Sequence, residues 1–444
     1  MELYEWQKPI ARKAAQSLEK DRVFVCAACT GAGKTPISCS VIAELKAPTM
    51  VICPKVSITQ WKRWIDRTPG CAEHVMLVTN PEQLNRRSGF PYYDRVNRWH
   101  DVPDGLLVVW DECHKGCSGV ESHLTEACAW IRKIPGSKLL ALSATVADTP
   151  LKLRALGFWM GFWPHFTVIN EFYAWCRTHG CGRRPMHVGG RVRWVFDFTK
   201  SKVDGARHMG VIRRQMGDRF FSICPEDIPD FPDEALDVVR VDLEKQDRKN
   251  LEAVYAEMPQ RLKSLSDNEL VALGQLQQRA EFFKAGAITN LVEGYVEDGM
   301  SAVVLVNYRD TVARIAELLD GRGVKYVTVL GQMKPAERQA NIDRFQANEV
   351  HVCLATLKAA GVSLSLHDER HERRRVSLIS PGYDASDVVQ ALGRIRRCGG
   401  TKAIQHFVFA ANTVEERVAD AVERKMGNIN ALNRDDLLGI SKGK

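Results

Sequence analysis

The chain carries a glycine-rich segment, Ala28-Cys29-Thr30-Gly31-Ala32-Gly33-Lys34-Thr35, directly after the apolar run Val23–Ala28. A run of this kind predicts a buried strand, and the segment after it predicts a tight turn into a helix. Glycines let backbone N–H groups close around phosphate oxygens, the Lys34 ammonium would neutralise the β- and γ-phosphates, and the Thr35 hydroxyl would bind Mg²⁺. Ala28 stands where the usual pattern has its first glycine. The segment predicts a phosphate loop for ATP and Mg²⁺, formed by Thr30, Gly31, Gly33, Lys34 and Thr35.

A second motif ends another apolar run. Leu106–Trp110 is followed by Asp111-Glu112-Cys113-His114, so two carboxylates should leave the carboxyl edge of the same sheet, near the phosphate loop. Asp111 would hold Mg²⁺ through water, and Glu112 would orient and polarise the attacking water. A helix-capping acidic pair is the alternative. It is disfavoured because both motifs end strands in one lobe.

Two sets of apolar runs organise the chain. The first set predicts five strands: Val23–Ala28, Met50–Cys53, Val75–Thr79, Leu106–Trp110 and Leu139–Leu142. The second set predicts five more: Ala302–Val306, Lys325–Leu330, Val350–Ala355, Val376–Ser380 and Ile404–Phe409. Helix-length stretches separate the runs, which predicts parallel sheets covered on both faces. The expected fold class is α/β, with parallel-sheet lobes at 1–156 and 236–444 and a basic, aromatic insertion and linker at 157–235.

Composition limits what the chain can be. Hydrophobic residues make up 45% and charged residues 26% of the 444 residues, which is typical of a globular protein with more than one core. The 13 cysteines lie mostly in apolar runs, which favours buried reduced thiols over a disulfide framework. No run approaches the length of a membrane-spanning helix, and the N-terminus lacks a signal-peptide pattern. We therefore expect an intracellular protein, cytoplasmic or nucleoid-associated, with no membrane partner.

Most of the net charge of +8 falls in one segment. Eleven Lys or Arg residues and three Asp residues lie between Arg177 and Arg219. This excess predicts a polyanion-binding surface, and a solvated basic loop is the alternative. The candidate phosphate contacts are Arg183, Arg184, Arg191 and Arg193. Aromatic residues interleave with these arginines and could stack on bases or wedge a duplex, but the group from Phe158 to Phe166 is better explained as core.

The Asp111–His114 motif, the phosphate loop before it and Ser143-Ala144-Thr145 after it resemble the motifs of superfamily 2 helicases and translocases, in which the second motif is called the DECH box. The resemblance covers nearly the whole chain. It implies two RecA-like lobes with ATP at their interface and nucleic acid lying across both. Gln7 resembles the family's adenine-reading glutamine. His114, Ser143 and Thr145 fall in motifs that couple ATP hydrolysis to movement.

The segment Gln390-Ala391-Leu392-Gly393-Arg394-Ile395-Arg396-Arg397 matches the family pattern QxxGRxxR. A leaving γ-phosphate needs positive charge from the opposite lobe, and a guanidinium offers a planar fork of donors. Arg394 and Arg397 are therefore the expected arginine fingers, with Arg397 the stronger candidate, and Gln390 is expected to take part in coupling. A basic solvated helix is the alternative. It explains neither Gln390 nor Gly393 at this spacing.

Further segments resemble family motifs that contact the nucleic-acid backbone. In the first lobe these are Val51–Pro54, which leads to Gln60-Trp61, and Val78–Leu84. The resemblance implies that Pro54, Lys55 and Asn80 lie on the track. In the second lobe, the segment from Ala355 to Val362 resembles the motif that links the strand-contacting surface to the ATP site. It implies roles for Thr356, Lys358 and Gly361.

The branch of the superfamily stays open. The run TNPEQL, the helix around Leu276–Arg279 and the segment Val414–Arg417 resemble Swi/Snf-type translocases on double-stranded DNA. The phosphate loop TGAGKT and Gln60–Lys62 resemble repair and branch-migration helicases instead. Our first expectation is a DNA-dependent ATPase that moves on duplex DNA.

Three other functions remain as alternatives: a strand-separating or branch-migrating DNA helicase, an RNA-directed motor, and a catalytically silent nucleic-acid-binding scaffold. Intact Lys34, Asp111, Glu112 and Arg397 disfavour the scaffold, because a silent relative would be expected to have lost at least one of them. The small size suggests a stripped motor of viral or mobile-element origin, which would depend on a partner protein for targeting.

Overall fold

The chain folds into two compact units. A computed structural model describes residues 3–84, 90–94, 98–117, 119–120, 122–188, 191–253, 269–360, 365–380, 382, 384–413 and 415–434. The first unit comprises the described residues of Met1–Arg183, Phe196–Pro229 and Arg424–Lys444. The second comprises those of Arg184–Val195 and Asp230–Glu423. Each unit is built on one six-stranded sheet.

The sheet of the first unit is parallel throughout. Up to residue 229 the strands are β1 (Val23–Ala28), β2 (Thr49–Ile52), β3 (Val75–Thr79), β4 (Tyr93–Asp94), β5 (Arg98–Trp99), β6 (Leu107–Asp111), β7 (Lys138–Leu142), β8 (Cys181–Val188), β9 (Arg191–Phe198) and β10 (Phe220–Ile223). The large sheet has the order β10-β1-β7-β6-β2-β3, and each neighbouring pair is parallel. β4 pairs with β5, and β8 with β9, in two small separate sheets.

Helices alternate with these strands and bury the faces of the sheet. They span Lys8–Asp21, Lys34–Leu45, Ile58–Arg67, Pro81–Leu84, Cys113–Gly116, His123–Ile131, Arg154–Trp159, Ile169–Thr178 and Lys202–Met216. Every residue of β1 and β2 is buried. Because both faces are covered, these strands read as continuous apolar runs instead of alternating ones.

Aromatic residues of the predicted insertion belong to the core of the first unit. Phe158, Trp159, Trp163, Phe166 and Phe172 are buried in the same cluster as the strand residues. The interpretation of the group from Phe158 to Phe166 as core is therefore confirmed for its buried members, and Phe172 joins them. Trp194 on β9 is different, because 65% of its surface is exposed.

The compact units are divided differently from the three segments expected from the sequence. β10 lies inside the expected insertion, but it pairs with β1 as the edge strand of the first sheet, with Phe220 opposite Val25. Pairing satisfies the backbone groups of the β1 edge and buries Phe220 and Ile223. The C-terminal part of helix Glu415–Arg434 also belongs to the first unit, where Asn428 Nδ2 donates to the carbonyl oxygen of Asp148 (3.0 Å).

The second unit repeats the parallel arrangement. Its strands are β11 (Glu234–Val241), β12 (Ser301–Val306), β13 (Val327–Val329), β14 (Val352–Thr356), β15 (Arg375–Ile379) and β16 (Ala403–Ala410), in the order β11-β16-β15-β12-β14-β13. Its helices span 245–253, Glu269–Phe283, Ala285–Glu297, Arg309–Gly321, Pro335–Gln346, Leu357–Ala360 and Ala385–Leu392, and it holds the first part of Glu415–Arg434. The predicted α/β class with two parallel-sheet lobes is confirmed.

Two expectations from composition can be compared with the structure. All 13 cysteines are free, and ten of them are buried, as expected for reduced thiols. Among the helices of the described residues, none is both long and apolar enough to cross a membrane.

A buried ion pair joins two segments of the second unit. The Nζ of Lys284 donates to both carboxylate oxygens of Glu415 (2.7 and 2.8 Å) and to the carbonyl oxygen of Val408 (2.8 Å). The backbone N–H of Ala410 also donates to Glu415 (2.7 Å). Burial raises the pKa of Glu415, and the Lys284 ammonium opposes that effect. The pair thus ties helix Glu415–Arg434 to the end of β16.

Breaking this pair from one side should destabilise the protein strongly. Lys284→Met is expected to cost about 3–5 kcal/mol of unfolding free energy, because the Glu415 carboxylate would stay buried without its cation. The double variant Lys284→Met/Glu415→Leu should recover most of this loss, since apolar side chains can replace both charges. Urea denaturation followed by circular dichroism measures the difference. A double variant no more stable than Lys284→Met would contradict the assignment of the cost to the uncompensated charge.

Candidate active site

The first sheet brings three predicted motifs to one edge. β7 lies between β1 and β6, and Leu142 of β7 pairs with Cys26 on one side and Asp111 on the other. Because all three strands are parallel, the phosphate loop, Ser143 and the DECH box leave the sheet side by side at its carboxyl edge. Ligands of open parallel sheets bind at this edge.

The phosphate loop has the backbone that the glycine pattern requires. Gly31 (φ 87°) and Gly33 (φ 78°) both lie in the left-handed region, which glycine adopts without strain. The helix Lys34–Leu45 begins directly after Gly33, so its first N–H groups face the loop. Lys34 Nζ donates to the carbonyl oxygens of Ala28 (2.9 Å) and Cys29 (3.3 Å), which holds the ammonium against the loop. Thr35, in the first turn of the helix, is half-buried.

Gln7 contacts the loop itself. Its Nε2 donates to the carbonyl oxygen of Ala32 (3.1 Å), and its Oε1 accepts from the backbone N–H of Tyr4 (3.1 Å). Its side chain packs against Gly33, where an added Cβ would overlap with Nε2. A buried amide at the phosphate loop fits the proposed nucleotide site.

Asp111 is a buried carboxyl group at this edge, and its pKa is perturbed. Burial, and then the neighbouring Glu112 carboxylate, raise its pKa to about 6, against the opposing effects of Trp61 and Lys34. The Trp61 indole N–H donates to Asp111 Oδ2 (2.9 Å), and the Glu112 backbone N–H donates to Oδ1 (3.0 Å). A buried carboxylate beside a second one favours a cation, which would remove the repulsion between them. Asp111 and Thr35 therefore fit a Mg²⁺ ion bound with ATP, and the ion would supply positive charge at the phosphates.

The Trp61 hydrogen bond makes a prediction about pH. Trp61→Phe keeps the buried ring but removes the donor, so the pKa of Asp111 should rise above about 6. Its charged form would then be rarer at mildly acidic pH, and affinity for Mg²⁺ should fall on the order of 10-fold near pH 6 and less at pH 8. Mg²⁺ titrations of a bound fluorescent ATP analogue at both pH values measure this. Trp64→Phe, on the same helix, is the matched control, and equal behaviour of the two variants would contradict the proposed role.

Glu112 is held in an unusual conformation. Its φ of 48° lies in the left-handed region, which is costly for a residue with a side chain. Its carboxylate Oε2 lies 3.4 Å from His114 Nδ1, and the same nitrogen lies 2.8 Å from Ser143 Oγ. Ser143 Oγ in turn accepts from the backbone N–H of Thr145 (2.9 Å). A continuous set of polar contacts therefore runs from Glu112 to the Ser143–Thr145 segment.

The arginine motif of the second unit follows a helix instead of lying on one. Helix Ala385–Leu392 ends before Gly393, and Gln390 near its end is fully buried. Arg394 is only 2% exposed, which contradicts the alternative of a solvated basic helix. Arg397 is half-buried, and its Nε donates to the carbonyl oxygen of Gly393 (3.3 Å). Burial lowers the pKa of Arg397 to about 10, so the guanidinium stays charged at neutral pH.

Arg396 of the same motif makes structural contacts within the second unit. Its Nε donates to the carbonyl oxygen of Pro232 (2.8 Å), and its Nη1 forms an ion pair with Glu234 of β11 (2.7 Å). This side chain therefore anchors the start of the second sheet. In the QxxGRxxR pattern Arg396 occupies a variable position between Arg394 and Arg397.

The residues expected to contact nucleic acid differ in exposure. Lys55, Lys358, Arg183, Arg184 and Arg193 are exposed, and Pro54 is half-buried. Thr356 ends β14 and is 8% exposed, and Asn80 is 5% exposed. Asn80 Oδ1 accepts from the backbone N–H of Gln83 (3.2 Å), so its side chain caps helix Pro81–Leu84. Gly361 and the side chain of Arg191 lie outside the described residues.

Two residues near these motifs were missed from the sequence. Trp61 lies in the quoted Gln60-Trp61 run, but no local pattern links it to Asp111, which is 50 residues later. His367 packs close to the arginine motif, since a Cβ at Gly400 would lie 2.9 Å from its ring. Burial, and then the charge of Arg397, lower the pKa of His367 to about 4. It is therefore neutral at physiological pH and adds no competing charge beside Arg397.

Comparison with known families agrees with this arrangement. A family model described as "Type III restriction enzyme, res subunit" matches residues 1–148, which carry the phosphate loop and the DECH box. A model described as "Helicase conserved C-terminal domain" matches residues 284–399, which carry the arginine motif. One model therefore falls on each of the two units.

Individual relatives are similar over different lengths. The chain is 24% identical over 439 residues to "Putative ATP-dependent RNA helicase L364" of Acanthamoeba polyphaga mimivirus, covering 92% of this chain and 80% of that protein. It is 31% identical over 137 residues to "Putative ATP-dependent RNA helicase QP509L" of African swine fever virus, covering 27% and 24%. It is 26% identical over 151 residues to "ATP-dependent RNA helicase RhlB" of Xanthomonas oryzae, covering 34% and 25%. The two parallel-sheet lobes, the motifs at their strand ends and these matches place the chain in helicase superfamily 2, as an ATP-dependent helicase-type enzyme with two RecA-like lobes.

Proposed function

We propose that this chain hydrolyses ATP in response to nucleic acid and uses the energy to move along it. The observation that carries the proposal is the set of contacts from Glu112 through His114 to Ser143 and Thr145. It joins the carboxylate expected to act on water to the Ser143–Thr145 segment, which is expected to couple hydrolysis to movement. A change in the charge or position of Glu112 can therefore alter, through His114 and Ser143, the hydrogen bond that the Thr145 backbone N–H donates.

Each polar group of the site has a distinct role in this proposal. The loop N–H groups and Lys34 bind the phosphates, Thr30, Gly31 and Gly33 shape the loop, and Gln7 reads the adenine. Glu112 orients the attacking water and accepts its proton, with His114 fixing the carboxylate. Arg397, assisted by Arg394, supplies positive charge to the γ-phosphate as it leaves. Gln390 and Gly361 take part in coupling these events to movement.

We favour duplex DNA as the track, because several motifs of this chain resemble those of Swi/Snf-type translocases, which act on duplex DNA. Contacts to phosphates by Lys55 and Lys358 would carry no sequence information, so binding to the track should be independent of sequence and sensitive to salt. RNA is the second candidate, because three of the relatives are named as RNA helicases. Two of these relatives are viral proteins, which favours a viral source.

Strand-displacement assays distinguish a duplex-DNA translocase from a strand-separating helicase and from an RNA motor. A duplex-DNA translocase should remove a third strand from a triplex, with ATP, while leaving the underlying duplex intact. A strand-separating helicase should release one strand of a partial duplex, and an RNA motor should do so only with RNA. Release of the third strand with Lys34→Ala as the inactive control would support our first choice. Activity confined to RNA substrates would replace it with the second.

A further inference from the structure

The pair of strands β8 and β9, hereafter the hairpin, has an apolar face that is buried at one end and exposed at the other. Alternate residues of a strand share a face, which on β9 groups Val192, Trp194, Phe196 and Phe198. Phe198 is 7% exposed and belongs to the core, whereas Val192 is 52% and Trp194 is 65% exposed. Two neighbouring exposed apolar side chains on one strand face, flanked by charged residues, make this end of the hairpin a candidate binding site.

The buried end of the hairpin is firmly packed. Phe196 stacks on Tyr173 with ring centroids 4.1 Å apart and planes 7° apart. The guanidinium groups of Arg183 and Arg177 lie 5.4 and 5.9 Å from the Phe196 ring centroid. Trp194, two residues further along the strand, is therefore presented from a braced base, which lowers the entropy lost when a ligand stacks on it.

The charge of the hairpin indicates the kind of ligand. Residues 181–198 contain four arginines and one aspartate. Arg183, Arg184 and Arg193 are exposed. Aromatic rings set among exposed arginines match the surfaces that bind single-stranded nucleic acid, where bases stack on the rings and phosphates pair with the cations. A protein partner would have to supply acidic groups to match the arginines, whereas nucleic acid supplies both the negative charge and the rings that stack. We therefore favour nucleic acid as the ligand.

We propose that Trp194, together with Val192, forms a stacking platform for an unpaired nucleobase, and that the positive charge of Arg184 and Arg193 draws the phosphates of the same strand to this platform. The inference rests on the proposed function, because it names the form of nucleic acid that one surface of the motor engages. It predicts that a single-stranded segment, at a fork or an end, binds here in addition to the track. Stacking does not depend on base identity, so the platform accepts any sequence.

Binding of short oligonucleotides to the full chain tests the platform. Fluorescence anisotropy would compare single-stranded DNA, single-stranded RNA, the same DNA strand made abasic, and a blunt duplex. Trp194→Ala should weaken binding of the single strands roughly 5- to 100-fold, while Trp194→Phe should retain most of the affinity. The abasic strand should bind the unaltered protein as weakly as the normal strand binds Trp194→Ala. Val203→Ala, which removes another exposed apolar side chain of the same region, is the control.

The outcomes separate this proposal from the one it rests on. Equal losses for single strands, abasic strand and duplex would assign Trp194 to backbone contact and overturn the stacking platform. Unchanged binding of every oligonucleotide by Trp194→Ala would also overturn it and leave the surface to a protein partner. Neither result contradicts the proposed motor function, as long as nucleic acid stimulates ATP hydrolysis by the unaltered chain. If no nucleic acid stimulates hydrolysis, the proposed function itself fails.

Discussion

Arg397→Gln is expected to lower the rate of nucleic-acid-stimulated ATP hydrolysis by about 10³- to 10⁵-fold, the range found for arginine fingers. Burial lowers the pKa of Arg397 only to about 10, so the wild-type side chain carries its charge throughout the neutral range. Glutamine keeps part of the length and polarity but has no charge to place on the leaving phosphate. Nucleotide binding should change far less, because the phosphate loop belongs to the other lobe.

Arg396→Gln is the matched control for this experiment. Arg396 is the neighbouring arginine of the same motif, but it pairs with Glu234 and the carbonyl oxygen of Pro232. Its loss should lower stability by about 1–3 kcal/mol while folded protein still turns over. Steady-state hydrolysis at saturating nucleic acid, with unfolding measured in parallel, separates the two effects. Similar rates for Arg397→Gln and Arg396→Gln would remove Arg397 from the catalytic set.

Glu112→Gln should lower hydrolysis by about 10²- to 10⁴-fold, as expected when a general base is lost. The amide can still orient water by a hydrogen bond, but it cannot take up the proton. ATP should continue to bind, and the complex with nucleic acid should persist because the nucleotide is not consumed. Rapid-quench measurement of a single turnover, beside equilibrium binding of ATP, tests both statements.

Glu126→Gln, an exposed carboxylate on helix His123–Ile131, provides the comparison for that experiment. It should behave as the unaltered chain does. If Glu112→Gln hydrolysed ATP at the same rate as Glu126→Gln, another group would have to be the base, and the contacts from Glu112 to His114 would lose their proposed meaning.

The lobes could be predicted because their strands are buried on both faces. Such strands are continuous apolar runs, so β1 was located to the residue, and β6 and β7 to within one residue. The edge strand β3 is only partly buried, but its residues Val75–Val78 are also apolar, and it too was located to the residue. β10 escaped prediction because it has only four residues, and its place in the sheet depends on pairing with β1 nearly two hundred residues earlier. No local pattern records that pairing.

The hairpin could have been found from the sequence. Gly189-Gly190 is a turn signal, and Val192, Trp194, Phe196 and Phe198 alternate with Arg191, Arg193 and Asp197, which is the two-residue period of a strand. The charge excess predicts a polyanion-binding surface, with a solvated loop as the alternative, and neither interpretation specifies the two strands that the segment forms.

In the candidate site, too, the local motifs could be predicted from the sequence, whereas the contacts between motifs could not. The phosphate loop, the DECH box and the arginine motif are local patterns with fixed spacing, and the structure places the first two at one sheet edge. The contacts Trp61–Asp111 and His114–Ser143 join separate motifs, so only the fold brings them together. The sequence identified the groups expected to act on ATP, and the structure adds those that position them.

The most direct test of the account is steady-state ATP hydrolysis by the purified chain with duplex DNA, single-stranded DNA, branched DNA or RNA added. Lys34→Ala serves as the blank, because it removes the ammonium from the phosphate loop and leaves the nucleic-acid surfaces intact. We predict hydrolysis well above the blank that rises further with nucleic acid, most of all with duplex DNA. A rate that stays at the level of Lys34→Ala with every nucleic acid would contradict the central claim that the chain is a nucleic-acid-driven ATPase.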